Sequence, residues 1–164
     1  MEVWDTYDAK GRKTGRTVKR GDLLPKGEYH IVVHILPYND DKYLVQKRSK
    51  TKETHPSVWA VTGGSALRGE NSLQAAIRET HEELGIAINP SEFVKIRRLI
   101  LGNSLADIWM FECGLSIQEI DFNTEEVEEL KWLSFGEIME MVEGGIFHDY
   151  GREYLSVLER RFIV

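Results

Sequence analysis

Three carboxylates, Glu79, Glu82 and Glu83, stand at positions i, i+3 and i+4 of a stretch with helical periodicity. At about 100° per residue they share one helix face and repel one another. A hard dication such as Mg²⁺ or Mn²⁺, bound through carboxylates and water, turns that repulsion into ligation. A solvated acidic face is the plain alternative. Arg78 is placed to reach Glu82 one turn on and fix its rotamer.

The element that must position them is a helix. Asn71 and Gln74 form a capping box at its start, and Gly85 is a C-terminal stop. Leu73, Ala76, Ile77, Thr80 and Leu84 make the stripe expected to be buried. The carboxylate face lies roughly a third of a turn from that stripe. Ahead of the helix runs the loop Gly63-Gly64-Ser65-Ala66-Leu67-Arg68-Gly69-Glu70, whose glycines let the backbone approach a metal or a phosphate closely.

This segment resembles the signature of the Nudix hydrolases, G-x5-E-x7-R-E-U-x-E-E-x-G-U, where U is a bulky apolar residue. Gly64, Glu70, Arg78, Glu79, Glu82, Glu83 and Gly85 match every fixed position. A chance match at one start position is on the order of 10⁻⁸. Thr80 replaces the first apolar residue, and Thr62 stands where many members have a proline. The strand ending Gln46-Lys47-Arg48 and the stretch from Glu126 to Ile138 resemble further parts of that domain. The N-terminal Trp4-Asp5-Thr6-Tyr7-Asp8 resembles the extension of the isopentenyl-diphosphate-isomerase-like branch.

The resemblance implies an α/β fold, an α/β/α sandwich around a mixed sheet, here with an N-terminal β-hairpin over residues 1–26. It implies hydrolysis of the diphosphate bond in a nucleoside diphosphate linked to another group, or a related nucleotide. Glu79 and Glu83, with Glu82 and the Gly63 carbonyl, are then the metal ligands, and Arg78 orients the carboxylates. Glu82 would share a metal or position water. Glu70 would stabilise the loop. The general base comes from the box or from a later loop, where Glu125 and Glu126 are candidates and Asp107 a further one. Lys47 or Arg48 would reach a phosphate. Trp4, Trp59, Trp109 or Phe147 would offer an aromatic wall, if not simply core. Homodimers are common in the family, and a projecting hairpin would be free to exchange between subunits.

Two other readings compete. An isomerase of isopentenyl diphosphate would need a cysteine before the box, where this chain has Ser57-Val58-Trp59. A non-catalytic nucleotide sensor would carry a degenerate box, and this one is intact. His30 and His34, four apart on one strand face, read as hydrogen-bonded side chains rather than metal ligands.

The whole chain sets the remaining bounds. Its 164 residues are enough for one domain with a substantial core. A net charge of −6 argues against a general nucleic-acid or acidic-membrane binder, though not against a small phosphorylated ligand carried by a metal. The single cysteine, Cys113, forms no internal disulfide and fits a reducing cytoplasm as a core thiol. No apolar run approaches the roughly 18 residues of a membrane span.

Overall fold

A computed structural model describes residues 1–160. The chain opens with a two-stranded antiparallel hairpin, β1 (Val3–Tyr7) and β2 (Lys13–Lys19). After the connection over residues 20–29, β3 (His30–Asn39) begins, followed by β4 (Lys42–Arg48) across the turn at Asp40. The segment from Trp59 to Ser65 is broken at Val61 into β5 (Trp59–Ala60) and β6 (Thr62–Ser65). The break has a topological reason. β3 and β4 pair only at Tyr38↔Tyr43 and Asn39↔Lys42 and then diverge. The Trp59–Ser65 segment joins both, with β5 on β4 and β6 on β3. That arrangement seats Gly63 opposite His34 and Gly64 opposite Val33.

Helix α1 (Ser72–Leu84) follows, with both arms of the Asn71/Gln74 capping box formed and Gly85 in the left-handed region at φ 64°. Next come β7 (Val94–Leu101) and β8 (Ser104–Glu112), an antiparallel pair. β8 runs parallel to β3 from His30↔Ser104 to Tyr38↔Glu112. β9 (Val127–Ser134) pairs antiparallel with β4 along its length, from Lys42↔Ser134 to Arg48↔Val127. Helix α2 (Phe135–Glu143) opens on the Ser134/Glu137 capping box. The amphipathic spacing of Tyr150, Tyr154, Leu155 and Leu158 predicts a last helix from Asp149 to Arg161; α3 (Arg152–Arg160) starts three residues later, and Arg161 lies outside the described residues.

The mixed seven-stranded sheet is covered on both faces, which gives the expected α/β/α sandwich. Strand alternation sorts the core. Ile31, Val33 and Ile35 pack under Ala75, Ala76 and Leu84 of α1, while Ile108 and Met110 pack with Ile138 of α2 and Leu158 of α3. The buried stripe of α1 differs from expectation. Leu73 and Ile77 are only half-buried, whereas Ala75, Glu79 and Glu83 are buried beside Ala76, Thr80 and Leu84. The hairpin is tied down rather than projecting: Tyr7 and Tyr29 exchange backbone hydrogen bonds of 2.8 Å, and Trp4 stacks on His30 at 4.2 Å. Among the described residues no helix is long and apolar enough to cross a membrane.

Candidate active site

Gly64 is where the site begins. A Cβ there would overlap the Glu79 carboxylate, and one on Gly63 would overlap the Val33 carbonyl. Glycine at 63 lets β6 approach β3 closely, and glycine at 64 leaves the space that the Glu79 carboxylate of α1 occupies. Glu79 is held in that space by Arg78, whose Nη1 donates to its Oε1 at 2.8 Å and to Glu82 Oε2 at 3.1 Å. The other edge of the guanidinium forks onto Glu70, with Nε to Oε1 at 2.7 Å and Nη2 to Oε2 at 3.0 Å. Nη2 also donates to the Ser65 carbonyl at 3.0 Å, and Glu70 accepts from the Leu67 amide at 2.9 Å. One arginine thus joins the loop before the helix to two of its carboxylates. Burial by itself would raise the Glu70 carboxyl, but the Arg78 and Leu67 hydrogen bonds hold it below its ordinary range.

Glu83 is set one turn beyond Glu79, and its partner is Gln46 of β4, whose Nε2 donates to Oε2 at 2.6 Å. Burial raises both carboxyls. Glu79 is lifted despite Arg78, and Glu83 is pushed up to about 7, with the charges of Glu79 and Glu126 adding to the effect of burial. Glu82 differs from both: its side chain is 55% exposed and turned back to Arg78.

Arg78, Glu79, Glu82 and Glu83, with the Gly63–Ser65 backbone, line a cavity of about 510 Å³. His34, Tyr150, Arg48, Lys52, Asn123 and Glu126 line it too. His34 Nδ1 and the Tyr154 hydroxyl lie 2.9 Å apart, and Tyr150 accepts from the Val61 amide at 3.2 Å. Burial keeps His34 neutral to about pH 4. Arg48 is braced on Thr54, its Nε on the carbonyl at 3.1 Å and its Nη2 on the hydroxyl at 3.2 Å. Lys52 is ion-paired with Glu126.

Several residues singled out from the sequence lie elsewhere. Glu125 is exposed beside Glu126 and does not line this cavity, so of the two loop acids only Glu126 faces it. Asp107 is fully buried, forked by Arg98 at 2.6 and 2.7 Å with Lys95 at 3.1 Å, and is not in the cavity. Lys47 pairs outside it with Glu128 at 3.6 Å. Trp59 is core, with Lys131 4.9 Å over its ring, and Phe147 is buried beside it. Trp109 is buried with its Nε1 on Ser72 Oγ at 2.9 Å. Trp4 alone of the four aromatics reaches the cavity wall, and one face of its ring is covered by His30. Burial raises the Cys113 thiol, which is also outside the cavity. Gln46 and Lys52 are additions. Gln46 was visible in strand alternation with buried Leu44, whereas no local pattern marks Lys52.

The site can accept a hard dication. Its donors are oxygen atoms, and both buried carboxylates are raised by burial, a penalty that a bound cation relieves. Among the described residues, no three His, Cys, Asp or Glu side chains converge as a ready ligand set, since Arg78 holds Glu79 and Glu82 while Gln46 holds Glu83.

The family model of the NUDIX domain matches residues 28–150. The chain belongs to the Nudix family. Its Nudix relatives include the uncharacterized Nudix hydrolase lmo0368 of Listeria monocytogenes, 35% identical over 92% of this chain and 90% of the relative. Among solved Nudix-like structures, DR0079 of Deinococcus radiodurans superposes with a TM-score of 0.79 over 97% of this chain and 98% of that one, at 18% identity. A bifunctional NMN adenylyltransferase/ADP ribose pyrophosphatase of Francisella tularensis, solved with AMP and a manganese ion, shares the Nudix fold over 82% of this chain and 42% of that one. Its TM-score is 0.59 at 19% identity. As a Nudix hydrolase the chain is an enzyme of diphosphate bonds.

Proposed function

We propose that this enzyme hydrolyses the diphosphate bond of a nucleoside diphosphate linked to another group, or of a related nucleotide, with Mg²⁺ or Mn²⁺ as cofactor. The observation that carries the reading is the pair of buried carboxylates, Glu79 and Glu83, one helical turn apart on the wall of a cavity also lined by Arg48 and Lys52. An acidic wall holds a diphosphate only through cations. Glu79 and Glu83, with Glu82 and the Gly63 carbonyl, would hold the metal. When bound it neutralises phosphoryl oxygens and acidifies water.

The chain's own residues then divide the work. Arg78 fixes the carboxylates through Glu70 and Ser65. Gln46 orients Glu83. Arg48 and Lys52 draw the phosphates in. Glu126 takes the proton of the attacking water as the P–O bond to the leaving phosphate breaks. The single buried thiol, Cys113, fits a reducing cytoplasm.

The test is release of phosphate or nucleotide from a panel of nucleoside diphosphate derivatives and triphosphates, with Mg²⁺, with Mn²⁺ and in excess chelator. Turnover should require the metal. Full turnover in chelator overturns the mechanism.

A further inference from the structure

The loop that leads into α1 is not self-contained. Its Leu67 amide donates to Glu70 Oε2, and its Glu70 amide donates to the Leu67 carbonyl, each at 2.9 Å. The two amides between them find their acceptors on β1. Arg68 donates to the Val3 carbonyl and Gly69 to Asp5 Oδ2, both at 2.8 Å. Gly69 stands in the left-handed region at φ 84°, which suits glycine. The same Asp5 oxygen accepts from Lys13 Nζ of β2 at 2.9 Å. Burial by itself would raise the Asp5 carboxyl, but the Gly69 amide and the Lys13 ammonium hold it below its ordinary range.

The hairpin that carries Asp5 precedes the matched region at 28–150 and is a firm support. Besides the Tyr7–Tyr29 and Trp4–His30 contacts, Arg98 braces its turn. A Cβ on Gly11 would overlap that guanidinium, which is itself forked on the buried Asp107. Strand alternation puts Trp4 on His30 and its neighbour Asp5 on the opposite face, at the loop. From Asp5 the contacts run inward without a gap. Gly69 precedes Glu70, Glu70 takes Nε and Nη2 of Arg78, and Nη1 of Arg78 holds Glu79 and Glu82. Asp5 itself does not line the cavity.

We propose that Asp5 is a positioning residue of this enzyme: by holding the Gly69 amide it fixes Glu70, and through Glu70 the guanidinium of Arg78 that aims Glu79 and Glu82. Gly69 is exposed, so water takes up its amide when Asp5 is removed, and folding changes little. What is lost is the place of Glu70, and with it the direction in which Arg78 turns the carboxylates. The kinetic consequence rests on the diphosphate-hydrolase reading.

With Mg²⁺ and the best-cleaved member of the nucleotide panel, Asp5→Ala should lower kcat about tenfold with KM within about twofold, as for loss of an outer partner of metal-binding carboxylates. Asp5→Asn, whose carboxamide oxygen still accepts from Gly69, should bring kcat back to within about threefold of the wild type. Arg12→Gln at the hairpin tip should change neither constant. Two further readouts need no substrate. By NMR, the Arg78 Nε–H proton, held on Glu70, should exchange with water about tenfold faster in Asp5→Ala than in the wild type or Asp5→Asn. In the wild type the Gly69 amide should exchange at least about tenfold more slowly than in an unstructured peptide, a measurement that stands even if Asp5→Ala does not fold. Wild-type kcat in Asp5→Ala, a loss that Asp5→Asn does not recover, an Arg78 proton indifferent to Asp5, or an unprotected Gly69 amide each overturns the proposal. If the wild type cleaves nothing in the panel while the Arg78 proton responds to Asp5→Ala, the hydrolase reading falls and the positioning by Asp5 is supported.

Discussion

The carboxylate of Glu79 fills the space that a side chain on Gly64 would need. Gly64→Ala should therefore displace Glu79 from Arg78 while leaving the sheet and helix formed. A shift of about 1 Å in a reacting group costs on the order of 100-fold in rate. Circular dichroism should be unchanged while kcat falls by about that factor. A wild-type rate in Gly64→Ala would remove Glu79 from the mechanism.

Glu83→Gln keeps size and shape and removes charge. Its new amide oxygen can still accept from Gln46. Activity should fall by about 100-fold or more, as for loss of a group that acts on transition-state charge. The unfolding temperature should stay level or rise, because the wild-type carboxylate is buried and repelled by Glu79 and Glu126. Near-normal turnover with this variant contradicts the assigned role.

Arg78→Lys should be costly although charge is kept. A lysine offers a point charge and cannot fork onto Glu70 while bonding Ser65, Glu79 and Glu82. We expect a loss of about 2 kcal/mol in urea unfolding together with a fall in kcat, because charged hydrogen bonds contribute more than neutral ones. An unfolding curve that overlays the wild type would show that the fork contributes nothing to folding.

The stability that a neutral, buried His30 confers should be lost in mild acid, while protonation of the raised Glu83 carboxyl acts in the opposite direction. Burial lowers His30 from its ordinary value to about 4, and its ring is stacked on Trp4. Below pH 6.5 the unfolded chain takes up a proton that the folded chain refuses until about pH 4, so stability is full above that window and lost on descending through it. Between pH 7.5 and 5 the contribution is up to about 2 kcal/mol. His30→Phe keeps a ring against Trp4 and removes the titration, so its denaturation midpoint should rise relative to the wild type on going from pH 7.5 to 5. Equal shifts in both proteins would assign the acid sensitivity elsewhere.

Cys113→Ser should leave diphosphate hydrolysis within a few-fold of wild type. The thiol is buried, raised by burial and outside the cavity. An isomerase of isopentenyl diphosphate would need a thiol at the substrate. Loss of such isomerisation in Cys113→Ser would make the N-terminal resemblance the better guide to the chemistry.

The local signals in the chain were sufficient for the helix caps and the strand alternation, though not for every boundary. The Asn71 and Ser134 capping boxes, the Gly85 stop and the strand alternation each act within a few residues, so they can be read in order. Periodicity also placed Glu79 and Glu83 together on one helix face. It could not decide that this face is buried while Leu73 and Ile77 lie at its margin, because that depends on what packs opposite. The neighbour is the glycine pair on β6, which arrives there because β3 and β4 diverge. The partners that shape the cavity are likewise distant in sequence: Gln46 to Glu83 spans 37 residues, Lys52 to Glu126 74, and His34 to Tyr154 120. Contacts at such separations leave no local period, and only the folded sheet brings them within hydrogen-bond reach.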